Sequence, residues 1–163
     1  MLALRVPRDR ADGPMTEAMY ATASGGTYNP VRSAGEGGRA HDGGTAMGRL
    51  TTHVLDTALG RPGAGIRVRL YRRDRGNFAF IKEALTNADG RCDTPLLEGN
   101  ALTPGRYRLV FAAGAYFAAQ GAKLPDPPFV DEVTLDFGIA DASAHYHVPL
   151  LVSPWSFATY RGS

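Results

Sequence analysis

Residues 50–72 read LTTHVLDTALGRPGAGIRVRLYR: a short strand at Leu50–Asp56, the turn GRPGAG, and a second short strand at Ile66–Arg72. Glycine and proline at that density punctuate a chain rather than extend it, and the runs on either side suit strands better than helices. Working outward, the same alternation of short apolar run and turn signal recurs. Further strands are expected near Phe78–Thr86, Thr94–Leu97, Tyr107–Ala112, Val130–Phe137, His145–Leu151 and Phe157–Arg161. The turns between them are marked by DRGN, the hairpin dipeptide Asp89-Gly90, LTPGR and SPWS. One short helix is expected in GAYFAAQG, bracketed by Gly114 and Gly121, and PDPP stops any continuation. No long helix alternates with the strands, which excludes a parallel α/β sheet. Eight strands and one short helix make the expected fold an all-β sandwich.

Composition changes abruptly near Met47. The preceding stretch, GGTYNPVRSAGEGGRAHDGGTA, is rich in glycine and nearly free of large aliphatic side chains. Such a segment cannot bury enough apolar area to offset its ordering entropy. Residues 1–46 are therefore expected to be a disordered Gly-rich N-terminal tail, with residues 47–163 as the folded domain and Met47 as a candidate initiator. His41 falls in that tail and reads as a solvated histidine.

The totals narrow the class further. The chain has 163 residues and a formal net charge of +2, too small for a nucleic-acid surface, and no Lys/Arg run is interleaved with aromatics. No stretch approaches the ~18 consecutive apolar residues of a membrane span. The opening MLALRVPRDR is too short in apolar residues for a secretion signal, and the ending RGS is not the S-K-L peroxisomal address. The single cysteine, Cys92, supports neither a disulfide framework nor a thiolate metal cluster. A soluble cytoplasmic protein is the expectation.

Strand periodicity sorts side chains by face. In the first strand Leu50, Thr52 and Val54 lie on one side, and Thr51, His53 and Leu55 on the other. In His145–Leu151, Tyr146, Val148 and Leu150 form the apolar face, while His145 and His147 share the opposite one with Pro149. Phe157 and Thr159 oppose Ala158 and Tyr160. Two strands thus put histidine away from the core. Each candidate has a plain structural reading: His53 as a satisfied surface histidine, Arg91 as a solvated loop arginine, Cys92 as a small strand-edge hydrophobe. His145 and His147 have the period that aligns two imidazoles for a metal, but no third ligand stands at metal spacing.

GRLTTHVLDTALGRPGAGIRVRLYR resembles the opening motif of the transthyretin-like family, TNADGRCDTPLL its hairpin segment, and HYHVPLLVSPWSFATYRGS its carboxyl-terminal signature. The resemblance covers nearly all of Met47–Ser163 and implies two four-stranded sheets packed face to face with one short helix. Within the family, the ending Tyr160-Arg161-Gly162-Ser163 and a histidine at His147 resemble the 5-hydroxyisourate hydrolases rather than the hormone carrier. That likeness implies catalytic roles for His53, Arg91 and His147, and a substrate-binding role for Tyr160, Arg161, Gly162 and Ser163. It implies no metal and no cofactor, 5-hydroxyisourate as the small-molecule partner, and a homotetramer with sites at the dimer–dimer interface. His145 inherits no role. A small-ligand carrier on the same fold and a β-sandwich interaction module are the alternatives.

Overall fold

A computed structural model describes residues 47–162. The expected tail at residues 1–46, with His41, and the terminal Ser163 lie outside the described residues. Among the described residues nine strands and one α-helix follow in order, with a single 3-10 turn at Gly99–Ala101: β1 (Arg49–Asp56), β2 (Arg61–Pro62), β3 (Arg67–Asp74), β4 (Asn77–Leu85), β5 (Leu97–Glu98), β6 (Gly105–Ala112), α1 (Ala113–Ala119), β7 (Glu132–Ile139), β8 (His145–Val152) and β9 (Phe157–Thr159). They form two sheets. One runs β4-β3-β6-β7, and the other runs β2-β1-β8-β9 with β5 also on the outer edge of β1. The architecture is the expected sandwich, with one strand more than expected: Arg61–Pro62, expected as part of the GRPGAG turn, pairs with the end of β1, while β5 pairs with its start. Pro95 explains the shortening of Thr94–Leu97 to Leu97–Glu98, since proline has no N–H for a ladder.

Alternation decides what is buried. Leu50 and Val54 of β1 and Tyr146, Val148 and Leu150 of β8 face Val68 and Leu70 of β3, Leu109 and Phe111 of β6, and Val133 of β7. Each such side chain contributes about 1.5–3 kcal/mol on leaving water. Tyr116 and Phe117 of α1 close one end of this core. Two turns use left-handed backbone, which Gly76 and Gly90 adopt without steric cost. Arg75 (φ 44°) and Gly76 (φ 97°) make the tight hairpin joining β3 to β4. The Asp89-Gly90 turn, by contrast, does not join two paired strands. It carries the chain from the end of β4 across to the edge of β1 in the other sheet, where Arg91 bridges His53.

The pairing that matters most for function is β1 with β8. It is parallel and unbroken, with Arg49 beside His145, Thr51 beside His147, and His53 beside Pro149. Same-face neighbours in such a ladder stand in rows. Arg49, Thr51 and His53 of β1 and His145 and His147 of β8 therefore make one polar strip, though roughly a hundred residues separate the two strands in sequence. β9 flanks β8 on its far side, and its ladder ends at Thr159 rather than Arg161. The register puts Tyr160 opposite Pro149, which lacks the N–H that pair requires; Thr159 Oγ1 instead donates to the Pro149 carbonyl at 2.7 Å. The chain rejoins β8 at Gly162, whose N–H donates to the His147 carbonyl at 2.9 Å. Among the described residues, no helix is long and apolar enough to cross a membrane.

Candidate functional site

The polar strip is built from backbone upward. β1 supplies Thr51 and His53, β8 supplies His145 and His147, and the turn after β4 supplies Arg91. That turn is organised by Asn87. Its side-chain oxygen accepts the N–H groups of Asp89 (3.0 Å) and Arg91 (3.1 Å), and its own N–H donates to the Arg91 carbonyl at 2.7 Å. Gly90 completes the approach. The N–H of Val54 donates to its carbonyl at 2.8 Å, and a Cβ on Gly90 would stand 2.3 Å from the Val54 oxygen. With φ at 72°, that position admits glycine almost alone. The sequence offered only the hairpin dipeptide Asp89-Gly90 as a turn signal here. Its role in seating Arg91 against β1 emerges only when β1 is known to be the neighbour.

Arg91 and His147 line one cavity of about 360 Å³, together with Arg49, Thr51, Cys92 and His145. The His53 ring centroid lies 6.5 Å from that of His147, and the His145 centroid lies 6.4 Å from it on the other side. Thr51 Oγ1 is hydrogen-bonded to both His145 Nε2 (3.0 Å) and His147 Nδ1 (2.9 Å). The structure thus brings His53, Arg91 and His147 to one face; strand patterning anticipates the outward side of the two histidines, and only the family resemblance joins Arg91 to them. Thr51 was assigned to that face from its strand position, but nothing in its spacing marked it as a clamp on two imidazoles.

The four residues of the chain's end part company. Gly162 lies against His147: a Cβ there would meet His147 Cδ2 at 2.8 Å. Tyr160 (60% exposed) and Arg161 line a different cleft, with residues 134–138 of β7 and Tyr146. The Arg161 guanidinium sits 4.9 Å from the Tyr146 ring centroid. Ser163 is outside the described residues.

Burial, followed by the Arg91 cation, holds the His53 imidazole below its ordinary pKa, against a smaller upward pull from Asp89. His147 is lowered by burial first, then by Arg91, His53 and His145. Both rings are therefore neutral near pH 7, with a lone pair available for a proton. Burial raises the Cys92 thiol, which makes it a poor nucleophile. No group of three or more His, Cys, Asp or Glu residues suited to a metal occurs among the described residues. What the arrangement offers is two neutral imidazoles beside a guanidinium: proton transfer next to a fixed positive charge.

Comparison with known proteins agrees over the same span. Residues 50–162 match the HIUase/Transthyretin family. A 5-hydroxyisourate hydrolase from Ralstonia nicotianae is 62% identical over 117 residues, which cover 72% of this chain and 100% of the relative. Among solved structures, a Klebsiella pneumoniae 5-hydroxyisourate hydrolase aligns with a TM-score of 0.60 at 34% identity, covering 71% of this chain and 99% of that one. An (S)-allantoin synthase aligns with a TM-score of 0.69 at 47% identity, covering 72% of this chain but only 44% of the synthase.

Proposed function

The chain belongs to the HIUase/transthyretin family, and from that premise we propose that it hydrolyses 5-hydroxyisourate to 2-oxo-4-hydroxy-4-carboxy-5-ureidoimidazoline. The observation that carries this reading is the meeting of His53, Arg91 and His147 on one outward face, in a domain 62% identical to a hydrolase of that substrate. Cleaving a ring amide requires a base for the attacking water, stabilisation of the developing oxyanion, and a proton for the leaving nitrogen. His53 and His147 share the first and last of these roles. Both rings are neutral near pH 7, so either can accept a proton, and either can return it once charged. Arg91 offers the planar fork of donors for the oxyanion and the electron-rich ring. Gly162 lets the chain's end lie against His147 without a clash.

The reaction in this reading uses no metal or cofactor, because the imidazoles and the guanidinium together supply base, acid and charge. Substrate contacts from Tyr160, Arg161 and Ser163 belong to the same proposal. For Tyr160 and Arg161 those contacts would have to reach across to a site on another subunit, since in their own chain they line the cleft beside β7. A homotetramer fits this. The histidine strip lies on the outer face of its sheet, and a second subunit over that face would restrict water in the cleft.

The test is direct. Purified protein held in EDTA should accelerate the loss of absorbance of freshly generated 5-hydroxyisourate, and His147→Ala should abolish most of that acceleration. Decay at the uncatalysed rate with the folded protein present would refute the assignment. Activity lost on chelation and restored by zinc would refute the cofactor-free chemistry.

A further inference from the structure

His145 and His147 are joined through one hydroxyl. Thr51 Oγ1 lies 3.0 Å from His145 Nε2 and 2.9 Å from His147 Nδ1, and it carries a single proton. It can donate to only one of the two rings. If it donates to His147 Nδ1, the proton of His147 sits on Nε2, and that nitrogen can give a proton but not take one. If it donates to His145 Nε2, it accepts from His147 Nδ1–H, and His147 Nε2 carries a free lone pair. The choice made at Thr51 thus decides whether His147 enters the reaction as an acid or as a base.

We propose that Thr51 is the positioning residue that holds His147 as its Nδ1–H tautomer, with His145 as the acceptor that keeps Thr51's own proton occupied. This rests on the hydrolase reading above and assigns the base within it: His147 Nε2 takes the proton of the attacking water. Of three features of the site, two hold these bonds in place and the Arg91 cation selects this tautomer over the reverse one. Nδ1 is committed to Thr51, so Nε2 is the only ring nitrogen left for a reacting water. Arg91 shares the cavity, and its cation favours a lone pair over an N–H on that nitrogen. The backbones of Thr51 and His147 are locked side by side in the β1–β8 ladder, with Arg49 beside His145 one step earlier, so the hydroxyl cannot drift from either ring. The other ionisable groups around His147 are His53 and Arg91, with Arg49 and Cys92 in the same cavity, and none of them reaches Nδ1 in the hydrogen-bonding pattern of the described residues. Once His147 has taken the proton, the Nδ1–H bond to Thr51 persists, so the imidazolium keeps its orientation while it returns the proton to the leaving nitrogen. The part this gives His145 is to hold the Thr51 proton.

Thr51→Val keeps the shape and removes the hydroxyl; Thr51→Ser keeps the hydroxyl. Long-range proton–nitrogen NMR of the free protein reports which nitrogen of His147 is protonated, independently of any substrate. The wild type and Thr51→Ser should show the Nδ1–H form. Thr51→Val should show a mixture with the Nε2–H form, and kcat should fall about 10- to 100-fold with KM little changed, as for other groups that orient a histidine from behind. His145→Phe frees the Thr51 proton and should shift His147 in the same direction. It also decides the matter should Thr51→Val fail to fold. An Nε2–H form in the wild type, or an unchanged tautomer and unchanged kcat in the variants, would overturn the proposal. A wild type that shows the Nδ1–H form but hydrolyses no 5-hydroxyisourate would instead refute the functional reading while leaving the tautomer lock standing.

Discussion

Gly162→Ala adds one methyl group beside the central histidine, and the structure sets the size of the effect. The Gly162 N–H donates to the His147 carbonyl at 2.9 Å, which brings its Cα alongside the imidazole. An added Cβ would stand 2.8 Å from His147 Cδ2, 3.1 Å from its Cβ and 3.3 Å from Cγ. Carbon atoms pack comfortably at roughly 3.5–4.0 Å, so the nearest contact is short by about 0.7 Å or more. The His147 backbone cannot yield, because β8 is paired to β1 along its whole length. Either the ring turns away, stretching the 2.9 Å bond to Thr51, or the chain's end swings out and leaves His147 uncovered. A misplacement of about 1 Å costs on the order of 10²-fold in rate, so this one should cost on the order of 10-fold in kcat/KM. The thermal midpoint should barely move, since Gly162 lies beyond β9 and touches none of the core. The assay is loss of 5-hydroxyisourate absorbance beside a melt followed by circular dichroism. Wild-type kcat/KM in a folded Gly162→Ala protein would refute the idea that the missing side chain makes room for the imidazole.

Other predictions follow from the same face. Arg91→Lys keeps the charge and loses the planar fork, so turnover should fall about 10- to 1000-fold; unchanged kinetics would return Arg91 to the solvent. His53 and His147 should titrate below the ordinary imidazole value of about 6.5, so the neutral, base-competent rings persist into mild acid. Removing the neighbouring cation stabilises the protonated rings, so Arg91→Gln should raise both NMR titration midpoints, and a fall would contradict the electrostatic account. A chain beginning at Met47 should keep its melting temperature and its turnover, because every strand and core residue described lies after Gly48. A drop of several degrees would show that residues 1–46 contribute to stability.

The longer strands, most turn positions, the short helix and the facing of most strand residues were legible from the chain alone, whereas the two-residue pairing at Arg61–Pro62 and the burial of Pro149 were not. Period-2 alternation and glycine or proline punctuation are local properties. Leu50, Thr52 and Val54 are buried and Thr51 and His53 are half-exposed, as their spacing requires. Asp89-Gly90 shows the limit of that local signal. The dipeptide announces a turn, yet whether the turn folds a strand back on its neighbour or crosses to the other sheet depends on what lies beyond it. Likewise the break after Thr159 follows from Pro149 lying opposite Tyr160, a partner earlier in the chain that only the register reveals.

The candidate site divides the same way. That His53 and His147 face outward is written in their own strands, because a side chain's face depends on its immediate neighbours in the chain. That they face outward together depends on β1 and β8 running parallel and in a register that sets Thr51 beside His147 and His53 beside Pro149. A slip of one residue would have left every pattern in the sequence intact and sent one set of histidines to the core. The bond from one hydroxyl to two imidazoles, the turn that seats Arg91, and the departure of Tyr160 and Arg161 to another cleft are all contacts between distant segments. Residue type and local period determine which groups can do chemistry and which side they take; only the packing of strands far apart in sequence decides which of them meet.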